Sequence, residues 1–311
     1  MRIAYLILCH TDPHHIARLT QKITKGTDNV AFVHVDGKSD ISPFMTLLNP
    51  QKQVEVLQNR TNVFWGGYGA IEATIGLMKA ALSYGPFDRF VLLQGLEYPI
   101  RANREIVEFF ENHPTTEFIK AQNISTAKDY KSVHKYRLYH YLDRLNRLPY
   151  KLLEYGNSIL VRSHVVPYFK RNYVRDFQGN KMEIYQGCAQ FGLTYKAVQY
   201  IVDFHDKNPK FNRYFESVYA ADEAYFHTIL YNSPFVKCTV DGNAVSRQRL
   251  EDFENLTYFE YPVYVTLFKE KKDWEKLKRS GFLFFRKASS ESKELLDFID
   301  EEHGREMKLS V

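Results

Sequence analysis

The chain has 311 residues, 44% hydrophobic and 25% charged, with 15 glycines and 11 prolines; this balance excludes a disordered or collagen-like protein and suffices for one large α/β domain or two small ones. Aromatic residues are abundant, with 22 Tyr, 23 Phe and 2 Trp, and their faces are platforms for sugars and bases. The net charge of +5 is unevenly spread: Lys128 to Arg175 carries eleven Lys and Arg against three acidic residues, which suits phosphate groups, an anionic membrane surface or an acidic acceptor.

In chain order, Ile3 to Cys9 reads as a strand, Pro13 to Lys25 as a helix, and Val30 to Val35 and Val54 to Leu57 as strands. Ala70 to Leu82 is a helix with an apolar stripe, followed by the strand Arg89 to Gln94 and the helix Arg104 to His113. Alternating strands and helices with uninterrupted apolar strand runs predict a mainly parallel sheet covered on both faces. Lys128 to Asp176 breaks that rhythm and reads as a basic helical insertion. Beyond it, Gly187 to Leu193 is expected to be extended, Tyr195 to His205 and Asp222 to Tyr231 helical, Phe235 to Val240 extended, and a C-terminal helix to start at Ser290.

Cys9, Cys188 and Cys238 are odd in number and far apart, neither a disulfide framework nor a zinc ribbon, and fit a reducing compartment. No stretch approaches the roughly 18 apolar residues of a membrane span. A cytoplasmic protein is expected, resting peripherally on the inner membrane through its basic segment. Nucleic acid is not an expected partner, because no RNP, zinc-finger or helix-turn-helix pattern accompanies the charge.

In parallel sheets ligands sit at the carboxyl ends of the strands. Three of the predicted strands run into polar loops, His10-Thr11-Asp12, Asp36-Gly37-Lys38-Ser39 and Gln94-Gly95-Leu96-Glu97, which are expected to converge on one cleft. The run His10 to His15 offers imidazoles and a carboxylate of the kind that ligate zinc or iron. Asp12 before Pro13 reads equally as a helix N-cap with proline at the first helical position.

No Asp-x-Asp occurs in the chain, so a nucleotide diphosphate would have to be neutralised by side-chain cations. Arg286-Lys287, after the apolar run Phe282 to Phe285, are candidates for that role or form an ordinary basic strand end. Trp65-Gly66-Gly67-Tyr68-Gly69 lacks the ending of a P-loop but reads as a turn that offers Trp65 and Tyr68 for stacking. In Tyr219 to His227, Asp222 makes a helix N-cap and Glu223 falls in the first turn; alternatively Glu223 projects into the cleft as a general base.

Six blocks in this order, Ile3-Ala4-Tyr5-Leu6-Ile7 with His10, Val33-His34-Val35-Asp36-x-Lys38-Ser39, Leu92-Leu93-x-Gly95-x-Glu97-Tyr98-Pro99-Ile100, Asp222-Glu223, Asn232-Ser233-Pro234 and Phe284-Phe285-Arg286-Lys287, resemble the core-2/I-branching β-1,6-N-acetylglucosaminyltransferases and the related peptide O-xylosyltransferases. The resemblance implies a GT-A-type, Rossmann-like fold and an inverting, metal-independent transfer from a UDP-sugar to a hydroxyl of a glycan acceptor. GlcNAc is the first expectation for the sugar and xylose the second. No cofactor and no divalent metal is expected. By that resemblance Glu223 is the base, Arg286 and Lys287 hold the diphosphate, and Asp36 and the turn around His10 line the uridine pocket. Glu97 and Tyr258 lie near donor or acceptor sugar, and Trp65 is a further substrate contact.

The chain then divides into a nucleotide-binding half (1–127), the basic insertion (128–176) and an acceptor and catalytic half (177–311) of one domain. Few cysteines and no anchor point to a bacterial-type member, whose acceptor would be a glycan or lipid-linked oligosaccharide at an anionic membrane. The position after Arg286-Lys287, aromatic in the family, is Ala288 here. Two other readings remain open: a metal-dependent hydrolase built on His10, Asp12, His14 and His15, and a non-catalytic UDP- or sugar-binding protein.

Overall fold

Every residue of Ile3–Ile7 is fully enclosed, because this first strand (β1, Ile3–Cys9) lies in the middle of a sheet with both faces covered. The computed structural model describes residues 1–127, 159, 173–242, 250–253, 255–260 and 266–309. Along β1 the side chains alternate. Ala4 and Leu6 join one apolar core, Ile3, Tyr5, Ile7 and Cys9 the other. The sheet continues with β2 (Val30–Val35), β3 (Val54–Val56) and β4 (Arg89–Leu93), all parallel to β1, in the order β4-β1-β2-β3.

Helices α1 (Pro13–Thr24) and α2 (Ser42–Leu48) follow β1 and β2, and α3 (Gly69–Tyr84) precedes β4. The second core fills the α1 side, where Ile16, Leu19 and Ile23 meet Leu295, Leu296 and Ile299 of the C-terminal helix Lys293–Leu309. The first core fills the opposite side, with Ile71, Ile75 and Met78 of α3 and Val198 and Ile201 of the helix Tyr195–Lys207.

After β4 come β5 (Glu97–Pro99), α4 (Asn103–Glu111), β6 (Ala121–Asn123) and, past residues left undescribed, β7 (Tyr173–Arg175), β8 (Lys181–Glu183), β9 (Tyr185–Gly187) and β10 (Gly192–Thr194). β10 adds antiparallel to β4, so the sheet started by the first half of the chain takes its last strand from the second. A second, small sheet sets β12 (Phe284–Arg286) between β5, antiparallel, and β11 (Thr257–Tyr258), parallel. Pairing of β12 with β5 carries the C-terminal segment onto the end of the main sheet. It is clamped there by Arg18, Lys22 and Tyr98, which all reach the carboxylate of Asp300.

The expected mainly parallel sheet is present, with several local corrections. Phe235 to Val240 is not extended. Pro234–Cys238 is a 3-10 helix, capped by Ser233, whose side chain accepts from the Phe235 N–H. The extended stretch expected over Gly187 to Leu193 is split between β9 and β10. The helix expected from Asp222 starts only at Tyr225, after a 3-10 turn at Ala221–Glu223. Most of the basic insertion, 128–172, lies outside the described residues apart from Ile159; its end forms β7, paired with β8. Among the described residues no helix is long and apolar enough to cross a membrane.

Candidate active site

The polar residues that end β1, β2 and β4 meet, as expected, in one cleft of about 710 Å³ whose lining includes His10, Asp36 and Gln94. Trp65, Glu223 and Arg286 line the same cleft, so five sequence-selected residues from five separate segments come together: His10, Asp36, Trp65, Glu223 and Arg286. Glu97, Lys287 and Tyr258 are not part of that lining.

Asp36 stands one residue past β2 and is held from three directions. Its Oδ1 accepts from the backbone N–H of Lys38 (2.9 Å) and Val63 (3.2 Å), and its Oδ2 from Lys38 Nζ (2.6 Å). Burial acts to raise this carboxyl, but the Lys38 and Val63 donors outweigh it and hold the group below the usual carboxylate range. The Lys38 ammonium also donates to the Val63 carbonyl and lies over the Phe64 ring. Beside Asp36, His34 Nε2 accepts from the Thr61 N–H at 2.9 Å, and burial lowers the imidazole pKa, so this ring is a neutral wall of the cleft.

Arg286 ends β12 opposite Glu97 at the start of β5, and its Nη1 donates to Glu97 Oε1 at 2.9 Å. Glu97 is fully enclosed and has four donors around it: Arg286 and Gln190 Nε2 (3.1 Å) on Oε1, and the backbone N–H groups of Gln94 (2.9 Å) and Leu96 (3.1 Å) on Oε2. The turn that brings those two N–H groups together needs Gly95 at φ 77°, where a Cβ would sit 2.9 Å from both Cys9 Cβ and the Leu8 carbonyl. The structure therefore corrects the expectation for Glu97. Its lone pairs are taken up, and its work is to hold Arg286 from behind the wall.

Tyr258 is corrected as well. Its ring packs against Phe268 and Phe282 (centroids 6.1 and 5.8 Å), while Phe259, the next residue, lines the cleft together with Phe253. Side chains alternate along an extended chain, so Phe259, and not Tyr258, is the ring of this segment that faces the cleft. Of the Trp65 to Gly69 turn, Trp65 is 75% exposed at the cleft with its ring edge-on to Tyr219. Tyr68 is buried against Tyr225 and is not offered to a ligand.

Glu223 reaches the cleft from a tight turn. Ala220 adopts φ 49°, a left-handed conformation that disfavours a side chain by about 1–2 kcal/mol, and its N–H is pinned to the Gly66 carbonyl at 2.8 Å. A non-glycine residue held in this way next to a cleft is the kind of local strain found at functional sites. Asp222 is not an N-cap, since Ala224 precedes the helix Tyr225–Tyr231.

The contacts of the His10 to His15 run also decide the metal alternative. Asp12, at φ 54°, caps α1: its Oδ1 accepts from His15 N–H (3.1 Å) and its Oδ2 from Ser290 N–H (2.7 Å). His15 is buried, with Nε2 3.1 Å from the Glu97 carbonyl. Among the described residues no three His, Cys, Asp or Glu side chains are grouped to hold a metal ion, so the hydrolase reading of this run does not stand. Gln186 and Gln190 also line the cleft and have no counterpart among the expected residues, because a neutral amide carries no spacing signature in sequence.

The family model described as Core-2/I-Branching enzyme matches residues 3–247, from β1 past the Glu223 turn. The chain belongs to the core-2/I-branching enzyme family. Curated relatives include xylosyltransferase 2 of Rattus norvegicus, 24% identical over 249 residues, which are 78% of this chain and 26% of the relative. Xylosyltransferase 1 of Homo sapiens is 23% identical over the same length, covering 78% and 23%. The chain thus matches about a quarter of the length of these relatives.

Among solved structures, mouse xyloside xylosyltransferase 1 in its apo form aligns at a TM-score of 0.30 with 11% identity, covering 74% of this chain and 81% of that one. HddC from Yersinia pseudotuberculosis complexed with GMP-PN aligns at 0.30 with 14% identity, covering 64% and 78%. The family and the mainly parallel sheet with its cleft at the strand ends agree with the GT-A-type fold implied by the six blocks.

Proposed function

We propose that the chain is an inverting glycosyltransferase that moves a sugar, GlcNAc first and xylose second, from a UDP-sugar to a hydroxyl of a glycan acceptor. The observation that carries this reading is that a carboxylate, Glu223, and an anchored guanidinium, Arg286, line one cleft at the carboxyl ends of the strands. In the reaction Glu223 takes the proton of the acceptor hydroxyl as its oxygen attacks the anomeric carbon. The bond to the diphosphate breaks on the opposite face, so an α-linked donor gives a β-glycoside. Negative charge grows on the departing UDP, and Arg286 stabilises it without reorganising, since Glu97 already fixes its position.

With no Asp-x-Asp in the sequence, the reading assigns the diphosphate to this cation and not to a divalent metal. The reading assigns Asp36 and His10, both in the cleft lining, to the uridine, and the exposed Trp65 ring to stacking with an acceptor sugar. Lys287 lies outside the cleft lining, which leaves Arg286 as the diphosphate ligand in this proposal.

The test is UDP calorimetry in EDTA together with turnover. Arg286→Ala should weaken UDP binding about 10- to 100-fold. Glu223→Gln should leave UDP binding intact and lower kcat about 100- to 10,000-fold. Metal-dependent binding, or turnover unaffected by Glu223→Gln, overturns the reading. The eleven basic residues of 128–175 are assigned, on charge alone, to an anionic membrane that presents a lipid-linked acceptor. Binding to anionic vesicles that survives replacement of those residues sinks that assignment.

A further inference from the structure

The hydrogen bonds behind the cleft wall fix which way a neutral side chain in the wall must face. Glu97 is paired with Arg286, and a carboxylate accepts without donating, so the Gln190 atom 3.1 Å from Glu97 Oε1 is the amide nitrogen. Gln190 is itself 4% exposed, and its oxygen, turned the other way, takes the Cys188 thiol. The second N–H of Gln190 points at the side chain of Gln94, 3.2 Å away. Gln94 must therefore present its oxygen to Gln190, and its own NH₂ is turned elsewhere. The backbone of Gln94 is fixed by the same carboxylate, through the bond from its N–H to Glu97 Oε2. Gln94 and Gln190 both line the cleft, and among the described residues the Gln94 NH₂ donates no hydrogen bond.

This donor sits a short chain of bonds from the guanidinium. Glu97 Oε1 accepts from Arg286 and from Gln190, and Gln190 holds Gln94. In a nucleotide sugar the part bonded directly to the diphosphate is the sugar to be transferred. We propose that Gln94 reads that sugar, donating from its carboxamide nitrogen to a neutral oxygen, a hydroxyl or an acylamino carbonyl, and that Gln190 is the positioning residue that orients it. The inference rests on the nucleotide-sugar reading of the cleft. It assigns sugar recognition to a pair of amides whose orientation follows from the charge of Glu97. A buried donor oriented in advance discriminates well, because a sugar without the matching oxygen leaves it unpaired.

Calorimetry with UDP, UDP-glucose, UDP-GlcNAc and UDP-xylose on the whole chain separates the two claims. In Gln94→Ala and Gln190→Leu the Kd for UDP should stay within about twofold of wild type, while the Kd for at least one of the three UDP-sugars rises about five- to tenfold. A purely structural role would weaken UDP and the UDP-sugars in step, and that outcome, or unchanged Kd values for all three sugars, overturns the inference and leaves the nucleotide-sugar reading standing. Failure of the wild type to bind UDP overturns both. Gln94 is partly exposed, so Gln94→Ala decides the matter even where Gln190→Leu impairs folding.

Discussion

The Arg286 guanidinium stands 2.9 Å from a Glu97 carboxylate that no solvent reaches, so the cation in the cleft is positioned by an anion buried behind it. Removing that anion leaves a positive charge in a partly buried position with no other ionic partner among the described residues. Glu97→Ala is expected to lower stability by about 3–5 kcal/mol and to weaken UDP binding even though residue 97 never touches the cleft. Urea unfolding and UDP calorimetry on the same preparation check both halves; a variant with wild-type stability contradicts the ion-pair account.

Trp65 is the opposite case. Its indole is largely in water and meets Tyr219 edge-on, so little folding energy depends on it. Trp65→Ala should change stability by no more than about 0.5 kcal/mol while raising KM for the acceptor glycan and leaving KM for the UDP-sugar unchanged. Steady-state kinetics with each substrate varied in turn make the distinction, and a KM effect confined to the donor refutes it.

Acid should loosen the fold through its histidines. His227 is wholly enclosed, and burial lowers its pKa from 6.5 to about 3; burial lowers His15, His34 and His205 as well. Below pH 6.5 the unfolded chain takes up protons that the folded chain refuses. The stability gained by keeping these rings neutral is therefore complete above pH 6.5 and lost as pH falls toward 3. His227→Leu should flatten that acid-side decline, measured as urea unfolding free energy at pH values from about 7 down to about 4; an unchanged slope excludes His227 as a contributor.

Gly187, at the end of β9 beside the cleft, has no room for even one more carbon. A Cβ there would lie 1.9 Å from the Lys120 carbonyl and 2.6 Å from His227 Nε2. Because the nearer obstacle is backbone, Gly187→Ala should cost more than about 2 kcal/mol and lower the thermal midpoint. A variant that melts with the wild type would show that β6 and β9 separate freely.

What was legible in the sequence follows from which interactions are local. β1, β2 and β4 were readable because strands enclosed on both faces need unbroken apolar runs, and Asp12-Pro13 announced the start of α1 because capping is a contact over three residues. Their polar ends could be placed in one cleft by the geometry of parallel sheets alone. Pro234–Cys238 misled because a short apolar run fits a strand or a 3-10 turn equally, and only the Ser233 cap decides. Glu97 and Tyr258 were selected in the right segments but given the wrong direction. Whether a carboxylate faces a ligand or an arginine behind which it is enclosed depends on β12, which arrives from far along the chain.

That late arrival bears on how the protein comes into being. Arg286 is 189 residues from Glu97, and its strand pairs with β5 in the second, small sheet, whereas the parallel strands of the main sheet are complete by residue 93. During synthesis the central strands emerge long before their last partner does. Contacts between such distant segments form slowly, after shorter loops have closed. A growing chain would possess its parallel core, Asp36 and Glu223 well before Arg286, so the cleft gains the cation that the proposed function requires only once β12 has paired with β5.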